Sequence, residues 1–464
     1  MKHLFFTAIT LILLFTSCNR DGGEKSVFDY IPDGTPDVVL VDLDAILKNA
    51  GCRIRDGKVT TSPAMDQLLD ALTEPEQQEF TDALIRLYPV LDLKQVALAA
   101  GYDNMAAVVP VKDLEQIELY LQEKGMEAES RVGTIYVIYG LTVALEGDMA
   151  ILTESPEQSA DWLELSAEAP LSLNTEVMEI FSMEEHTLVA MSMRPAGKRR
   201  HRGQEQQPMF TRLLQADVHE QFIDGALTLY DPAWQPIDLQ NYILPAEPEL
   251  LTAVPYDAQG VLVAGEQVDL EGLLRLFEIE SGDILPTEAQ LLMLGDFLSG
   301  PLMVSASPAS TSTYLRSLQP PAWVYTGALL REDDAVSSLL NLIAMLNGGD
   351  SPRNQTEEEG QTRLRITPDI SLYVKQNGNL MTLSTDYIRS SSASDTYAPL
   401  MEGASFGIFV NVPYNSETMR AFNLPYAPNL TIVGRDTEIS FRFSLNGSRT
   451  AILQALGETI QAAQ

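Results

Sequence analysis

The chain has 464 residues, with 30 lysines and arginines against 65 aspartates and glutamates, so its formal net charge is −35. This balance argues against a nucleic-acid binder, because neutralising phosphates takes clustered basic side chains. Two cysteines exclude a disulfide scaffold or a cysteine-based zinc ribbon, and four histidines leave little for a histidine metal site. We therefore predict neither a metal nor a cofactor. The length fits two or three domains, and 45% hydrophobic residues suffice for sizeable cores.

The first residues predict export and a lipid anchor. A short basic start, Met1-Lys2-His3, precedes the apolar run Leu4–Phe15, and Thr16-Ser17-Cys18 then places small residues before a cysteine. The run is shorter than the ~20 residues that span a bilayer, so residues 1–17 are predicted to be a signal peptide. They resemble a bacterial lipoprotein signal, in which Cys18 is lipidated. Residues 18–29 would be the lipidated tether of a protein held at the cell envelope, at the outer membrane, on a side left open.

The rest of the chain reads as two related halves, residues 30–240 and 241–464. Val41-Asp42-Leu43-Asp44 recurs as Val268-Asp269-Leu270-Glu271, each between a β-rich run and a helix-like stretch. Further predicted elements follow in matching order. The strand Ala106–Val109 matches Val324–Leu330, and the helix Asp113–Lys124 matches Asp334–Leu346. Three hairpin strands follow in each half: Ile135–Tyr139, Thr142–Leu145 and Met149–Leu152 in the first, and Leu364–Ile366, Ile370–Lys375 and Leu380–Ser384 in the second. Near the end of each half, the strand Leu188–Met193 matches Phe406–Val412, and Ala226–Tyr230 matches Ile439–Phe443.

The order of these elements predicts the fold class. Short strands run into hairpins with helices between them, and strand and helix do not alternate steadily. Asn377-Gly378 between two alternating strands is a strong hairpin signal. We predict an α+β fold of two tandem related halves, each with an antiparallel, hairpin-rich sheet packed against helices.

One acidic motif is similar to a catalytic signature. A hydrophobic run followed by Asp42-Leu43-Asp44 resembles the opening of haloacid-dehalogenase-type phosphatases, where one aspartate attacks phosphorus and the next acts as acid and base. Asp269 and Glu271 repeat the motif in the second half. The favoured interpretation is that Asp44 and Glu271 serve helix starts, where a carboxylate suits the helix dipole.

Serine and histidine signals are weaker. Gly403-Ala404-Ser405-Phe406-Gly407 matches a nucleophile elbow by letters, but a strand-like run follows the serine and no histidine lies after residue 219. His186, His201 and His219 share no metal-ligand spacing, so they are interpreted as solvated or polar-boundary side chains.

One short stretch of this acidic chain is rich in positively charged residues. Five cations crowd a short stretch: Arg194, Lys198, Arg199, Arg200 and Arg202. The plain interpretation is a flexible hairpin loop between Met193 and a helix near Phe210. The sharper hypothesis is a contact for an anionic partner, such as lipid headgroups, lipopolysaccharide phosphates or an acidic protein face.

The segment Tyr30-Ile31-Pro32-Asp33, running through Val38 and Val39 into Lys48-Asn49-Ala50-Gly51, resembles a family of Bacteroidetes lipoproteins of unknown function. Those proteins share a lipidated cysteine, a Tyr-x-Pro start and a strand-helix unit ending near Lys-Ala-Gly. Val109–Asp113 also looks like their second recurring segment. The family carries no established active site, so the resemblance implies an envelope location and no catalytic residue.

Two functions from different classes stay open. The leading one is a cell-envelope lipoprotein acting as a non-catalytic binding or interaction module, held by the lipid on Cys18, with an envelope protein or a glycan as candidate partner. The alternative is an envelope hydrolase whose carboxylates meet only in the fold, as glycosidase acid pairs do. A pocket holding two close carboxylates would favour the enzyme, and a broad exposed patch the binder. A carbohydrate platform needs stacked aromatic rings, and Trp162, Trp234 and Trp323 do not cluster in sequence.

Overall fold

The computed structural model describes residues 26–55, 58–61, 81–83, 85–101, 104–124, 128–129, 134–138, 141–181, 186–195, 209–269, 272, 300–308, 323–330, 355–358, 360–365, 371–388 and 392–463. The strands of the first half are β1 (Asp37–Val41), β2 (Arg53–Arg55), β3 (Lys58–Thr60), β4 (Val96–Ala100), β5 (Met105–Pro110), β6 (Ala128–Glu129), β7 (Thr134–Ile138), β8 (Leu141–Glu146), β9 (Met149–Thr153), β10 (Leu188–Pro195), β11 (Met209–Val218) and β12 (Phe222–Tyr230).

The strands of the second half are β13 (Gly260–Ala264), β14 (Leu302–Pro308), β15 (Trp323–Leu330), β16 (Gln355–Glu358), β17 (Gln361–Arg365), β18 (Ser371–Asn377), β19 (Leu380–Ser384), β20 (Phe406–Asn411), β21 (Ala427–Arg435) and β22 (Glu438–Asn446). The α-helices within the described ranges are α1 (Leu43–Asn49), α2 (Leu114–Glu123), α3 (Pro156–Glu168), α4 (Thr175–Phe181), α5 (Ser394–Met401), α6 (Glu417–Ala421) and α7 (Ile452–Ala463).

Antiparallel pairing joins twenty of these strands into one sheet, and β2 pairs with β3 separately. From its outer edge inward, the first half runs β6-β7-β8-β9-β5-β4-β1-β10-β11-β12. The second half runs β16-β17-β18-β19-β15-β14-β13-β20-β21-β22. Each strand of the first order therefore has a counterpart of the same rank in the second.

The two orders meet at the centre of the sheet. Strand β12 pairs with β22, from Phe222 opposite Ser444 to Thr228 opposite Glu438. The turn before the first strand of each half is also alike: the Thr35 N–H donates to the carbonyl of Pro32, and the Ala258 N–H donates to that of Pro255. The halves thus share both a strand order and a single sheet.

Helices cover both faces of the first-half sheet. On one face, Val41 and Val109 pack with Leu47 of α1 and Ile117 of α2. The other face packs against α3 and α4 through a second core, whose members include Val38, Ile151, Trp162 and Val177. Asp113 caps α2 by accepting a hydrogen bond from the Gln116 N–H at 3.1 Å, and Ile117 and Leu121 then recur at helical spacing on its buried side.

The larger core cluster of the second half lies on one face of β13, β14, β15 and β20. Val261, Met303 and Phe409 of these strands pack against Tyr397 and Met401 of α5. The Tyr397 ring contacts the Phe409 ring at a centroid distance of 5.0 Å. Burial of each large apolar side chain stabilises the fold by about 1.5–3 kcal/mol, so this face is held by α5.

The predicted α+β class is wrong, because the structure is mostly β. One reason is the stretch near Phe210, which was predicted as a helix. Phe210, Leu213 and Leu214 have helical spacing, yet Met209–Val218 is a strand that pairs with both β10 and β12. The prediction of two separate small sheets is also wrong. Strands far apart in sequence, β12 and β22, pair with each other and join the two halves into one large sheet.

Candidate functional site

A cleft opens on the α5 side of the second-half sheet, at one end of β14, β15 and β19. Its floor is formed by Ser307, Thr326 and Ser384, and its walls by residues 255–257 and 386–388. It measures about 510 Å³ when the solvent-open mouth is counted. Most of this volume is open solvent, so the polar groups that line the cleft, rather than its size, mark it as a candidate site.

The floor is a row of buried hydroxyls on neighbouring strands. Thr326 lies opposite Ser384 across β15 and β19, and their hydroxyl oxygens are 3.1 Å apart. Ser384 Oγ also accepts a hydrogen bond from the Asp386 N–H at 3.3 Å. These two hydroxyls therefore have partners within the protein.

Ser307 differs from its neighbours on the floor. Its side chain is 4% exposed, and its hydroxyl makes no hydrogen bond to any group in the described part of the chain. A buried hydroxyl without a partner costs about 1–3 kcal/mol. Because Ser307 lines the cleft, a water molecule or a ligand atom in the cleft would remove this cost.

One wall of the cleft is fixed by side chains that replace strand pairing. The Gln361 amide, 3% exposed, donates to the carbonyl of Ile388 at 2.6 Å and accepts from the Ile388 N–H at 3.0 Å. At the other end of this segment, the Thr385 N–H donates to the carbonyl of Tyr325 at 3.0 Å, and Thr385 Oγ1 accepts from the Tyr325 N–H at 3.0 Å. Residues 385–388 are therefore held at both ends.

The facing wall is fixed as firmly. The Ala393 N–H donates to the carbonyl of Val254 at 2.9 Å, and the Gln259 N–H donates to that of Ala306 at 2.9 Å. Gln259 is itself buried, and its side-chain oxygen accepts from Thr418 Oγ1 at 2.7 Å. Residues 255–257 thus stand between two anchored points, so the cleft is preformed.

Two carboxylates and two aromatic rings stand on these walls. Asp257 and Asp386 are half-buried, and within the described residues neither has an ion-pair partner. Tyr256 is 61% exposed. The half-buried Tyr387 ring contacts Tyr373 edge-on, with centroids 6.1 Å apart. The cleft therefore combines acceptors, hydroxyls and aromatic surface.

Among the described residues, a helix covers the equivalent place in the first half. There the strand β9 ends at Thr153, whose hydroxyl pairs with that of Ser159 in α3, and α3 begins directly afterwards at Pro156. In the second half the corresponding strand ends at Ser384, but α5 begins only at Ser394. The longer connection leaves the end of the second-half sheet open.

The residues under the closed site are also apolar. Across β1, β4 and β5 the register places Val38, Ala99 and Ala106 side by side, whereas β13, β14 and β15 place Val261, Ser305 and Thr326 side by side. Hydroxyls thus stand in the second half where the first has alanines. The cleft is a feature of one half of the shared sheet.

The residues singled out from the sequence do not form this site. Cys18, Lys198, Arg199, Arg200 and Arg202 lie outside the described residues. Arg194 is in β10, opposite Phe210. The lipid anchor and the contact for an anionic partner stay predictions, and the cleft was not predicted.

In the first half, the phosphatase-like motif forms a helix start, with Asp42 as the N-cap of α1 and Asp44 in its first turn. Asp42 accepts a hydrogen bond from the Ala45 N–H at 2.9 Å, and Asp269 accepts one from the Gly272 N–H at 2.9 Å. Asp44 instead pairs with Lys48 one turn further on. Burial raises the pKa of Asp42, against the lowering effect of its bond to Ala45. Asp44 thus lies at a helix start as predicted, while Asp42 supplies the cap. Glu271 lies outside the described residues.

Ser405 and the histidines have structural surroundings. Ser405 is fully buried before β20, so its hydroxyl is not presented to a substrate. His186 pairs with Asp217 at 2.8 Å and His219 with Asp224 at 2.9 Å, and the two aspartates face each other across β11 and β12. His201 lies outside the described residues. Nowhere in the described ranges do three or more His, Cys, Asp or Glu side chains form a group that could hold a metal.

Comparison of the chain with protein-family models, curated proteins and solved structures finds no match in any of the three. The similarity to Bacteroidetes lipoproteins stays a prediction from sequence. Among the described residues, none of the helices has both the length and the apolar character needed to cross a membrane.

Proposed function

We propose that the protein is a cell-envelope lipoprotein acting as a non-catalytic binding module, and that the second-half cleft is its ligand site. The observation that supports this is Ser307, a buried hydroxyl that lines the cleft and lacks a partner among the described residues. The anchored walls add support, because a preformed site loses little conformational entropy when it binds. The sequence supports the envelope location through the lipoprotein-like signal ending at Cys18.

An envelope hydrolase is the second candidate, and one observation favours it. Asp257 and Asp386 line the same cleft, and paired carboxylates are the catalytic groups of most glycosidases. Against it, none of the described residues lining the cleft is a histidine, cysteine or lysine that could activate Ser307. Hydrolysis of nitrophenyl glycosides that is lost in Asp386→Asn would favour the hydrolase over the binding module.

The binding module is tested by extracting the full-length protein from its own membranes in mild detergent and measuring small molecules bound to it by native mass spectrometry. The variant Ser307→Ala removes the unpartnered hydroxyl in the cleft. Ser405→Ala is its matched control, because it removes another buried hydroxyl without a partner in the described part of the chain, outside the cleft. We expect a bound molecule in wild type and Ser405→Ala, reduced at least about tenfold in Ser307→Ala. Equal occupancy in all three proteins, or none in any, would contradict the proposal.

The anchor is tested separately. Cys18→Ala should move the protein out of the membrane fraction, because multiple acyl chains are what give stable anchoring without a spanning helix. Retention of the variant in membranes after a high-salt wash would contradict the predicted lipid anchor.

A further inference from the structure

We infer that the second-half cleft binds a neutral saccharide, with one pyranose ring seated between the hydroxyl floor and Tyr256. This deepens the proposed function and rests on it. The donors and acceptors of the cleft, its aromatic surface and its charge support this ligand.

The polar groups require a ligand that both donates and accepts. Asp257 and Asp386 have no cation paired with them in the described part of the chain, and an ionised carboxylate only accepts hydrogen bonds. The Ser307 hydroxyl has no partner in the described part of the chain, and it can both donate and accept a hydrogen bond. Adjacent hydroxyls of a sugar ring supply both functions, since each hydroxyl donates once and accepts through its lone pairs. An alkylammonium group supplies donors alone and would leave the Ser307 proton unpaired.

The aromatic surface fits the other side of such a ring. Tyr256 is 61% exposed and lies in the turn closed by the hydrogen bond from the Ala258 N–H to the carbonyl of Pro255. Tyrosine combines an apolar face with a polar tip, so it can cover the C–H face of a pyranose while its hydroxyl stays in water. Tyr387, held edge-on against Tyr373, presents a second aromatic edge in the same cleft.

Charge selects among saccharides. The chain carries a net charge of −35, and the described lining of the cleft contains two acids and no base. A uronic acid or phosphorylated sugar would place a third negative charge beside Asp257 and Asp386. Like charges placed close together repel, and a low local dielectric increases this repulsion. A neutral sugar is therefore expected to bind and its anionic counterpart to be excluded.

The inference is tested by calorimetric titration of the full-length protein in mild detergent. The probes are the methyl glycosides of glucose, galactose, mannose and N-acetylglucosamine, with methyl glucuronide and ethanolammonium for comparison. We expect at least one neutral glycoside to bind and the glucuronide to bind at least about tenfold more weakly. Tyr256→Ala and Asp386→Asn should each weaken the neutral glycoside about tenfold. Tyr414→Ala is the matched control, because Tyr414 is 53% exposed and lies outside the cleft.

The outcomes separate this inference from the proposed function. Binding of ethanolammonium but of no glycoside would overturn the saccharide and leave the binding module standing. The saccharide would also be overturned if Tyr256→Ala and Tyr414→Ala bound the glycoside alike, or if no glycoside bound wild type. Whether the cleft holds any ligand is decided independently by the Ser307→Ala extraction experiment.

Discussion

The serines of β14 show how single residues conceal the candidate site in the sequence. Along this strand Ser305 and Ser307 are buried, while Val304 between them is 47% exposed and its cross-strand neighbour Leu262 is 40% exposed. Alternation in a strand identifies two faces, and hydrophobicity would assign the valine face to the core. The structure has the opposite arrangement. The signal that could have located the cleft is a strand with serine at two successive positions of one face.

A prediction at this scale concerns Asp217. Burial acts to raise the pKa of Asp217, but hydrogen bonds from His186 and from the Thr187 N–H outweigh it, so the pKa lies below its usual range. A lowered folded pKa adds stability above the unfolded value of ~3.9, and this stability is lost as pH falls through the folded value. The side chain is 34% exposed, so solvent screening keeps the contribution to about 1 kcal/mol.

Urea unfolding of wild type and Asp217→Asn measures that contribution. At pH 7 the variant should be less stable by about 1 kcal/mol, and the difference should shrink as pH falls below about 3.8. Asp161→Asn is the control, since it makes the same chemical change at an exposed site on α3. A difference that does not change with pH would contradict the assignment.

At the scale of elements, the pairing of β12 with β22 distinguishes the structure from the predicted fold. Parts of both strands, Ala226–Tyr230 and Ile439–Phe443, were predicted from alternation and turn residues. Their pairing was not, because local patterns do not specify a partner far along the chain. Leu380–Ser384 was predicted with the bounds observed, next to a turn where Gly378 has φ +62°. Local elements were thus accessible to prediction, and their assembly into one sheet was not.

Gly225 offers a test of this central pairing. A Cβ at Gly225 would lie 2.1 Å from the carbonyl oxygen of Gln215 and 2.9 Å from the Phe441 ring. Because the nearest atom is backbone, Gly225→Ala should lower the free energy of unfolding by about 2–3 kcal/mol. Gly327 is also within a strand, but its nearest neighbour would be 3.7 Å away. Gly327→Ala should change stability by no more than about 1 kcal/mol, and equal losses in urea unfolding would argue against the close packing.

At the scale of the whole molecule, one sheet carries two halves that differ in how the end of the sheet is covered. The first half closes the end of its sheet with α3, and the second leaves it open above buried hydroxyls. The halves are also tied beside the sheet, where Asn49 at the end of α1 accepts a hydrogen bond from the Leu453 N–H in α7 at 3.1 Å.

The shared sheet predicts that the halves unfold together. Trp162 is buried in the first-half core, and Trp323 opens β15 in the second half. The chain has a third tryptophan, Trp234. One variant keeps only Trp162 and another keeps only Trp323, with phenylalanine at the remaining two tryptophan positions, so each variant reports on one half. Their fluorescence transitions in urea should share one midpoint, because seven residue pairs join β12 to β22. Two separated midpoints would show that the central pairing does not couple the halves.

Amide chemical-shift mapping of the full-length protein with the tightest-binding neutral methyl glycoside tests most directly whether the ligand site lies in the second half alone. We expect shifts at Tyr256, Asp257 and residues 385–388. We expect none at Asp33 and Gly34, which occupy the same turn in the first half, because α3 closes that end of the sheet. Shifts at both turns, at neither, or only outside the cleft would contradict a ligand site that belongs to the second half alone.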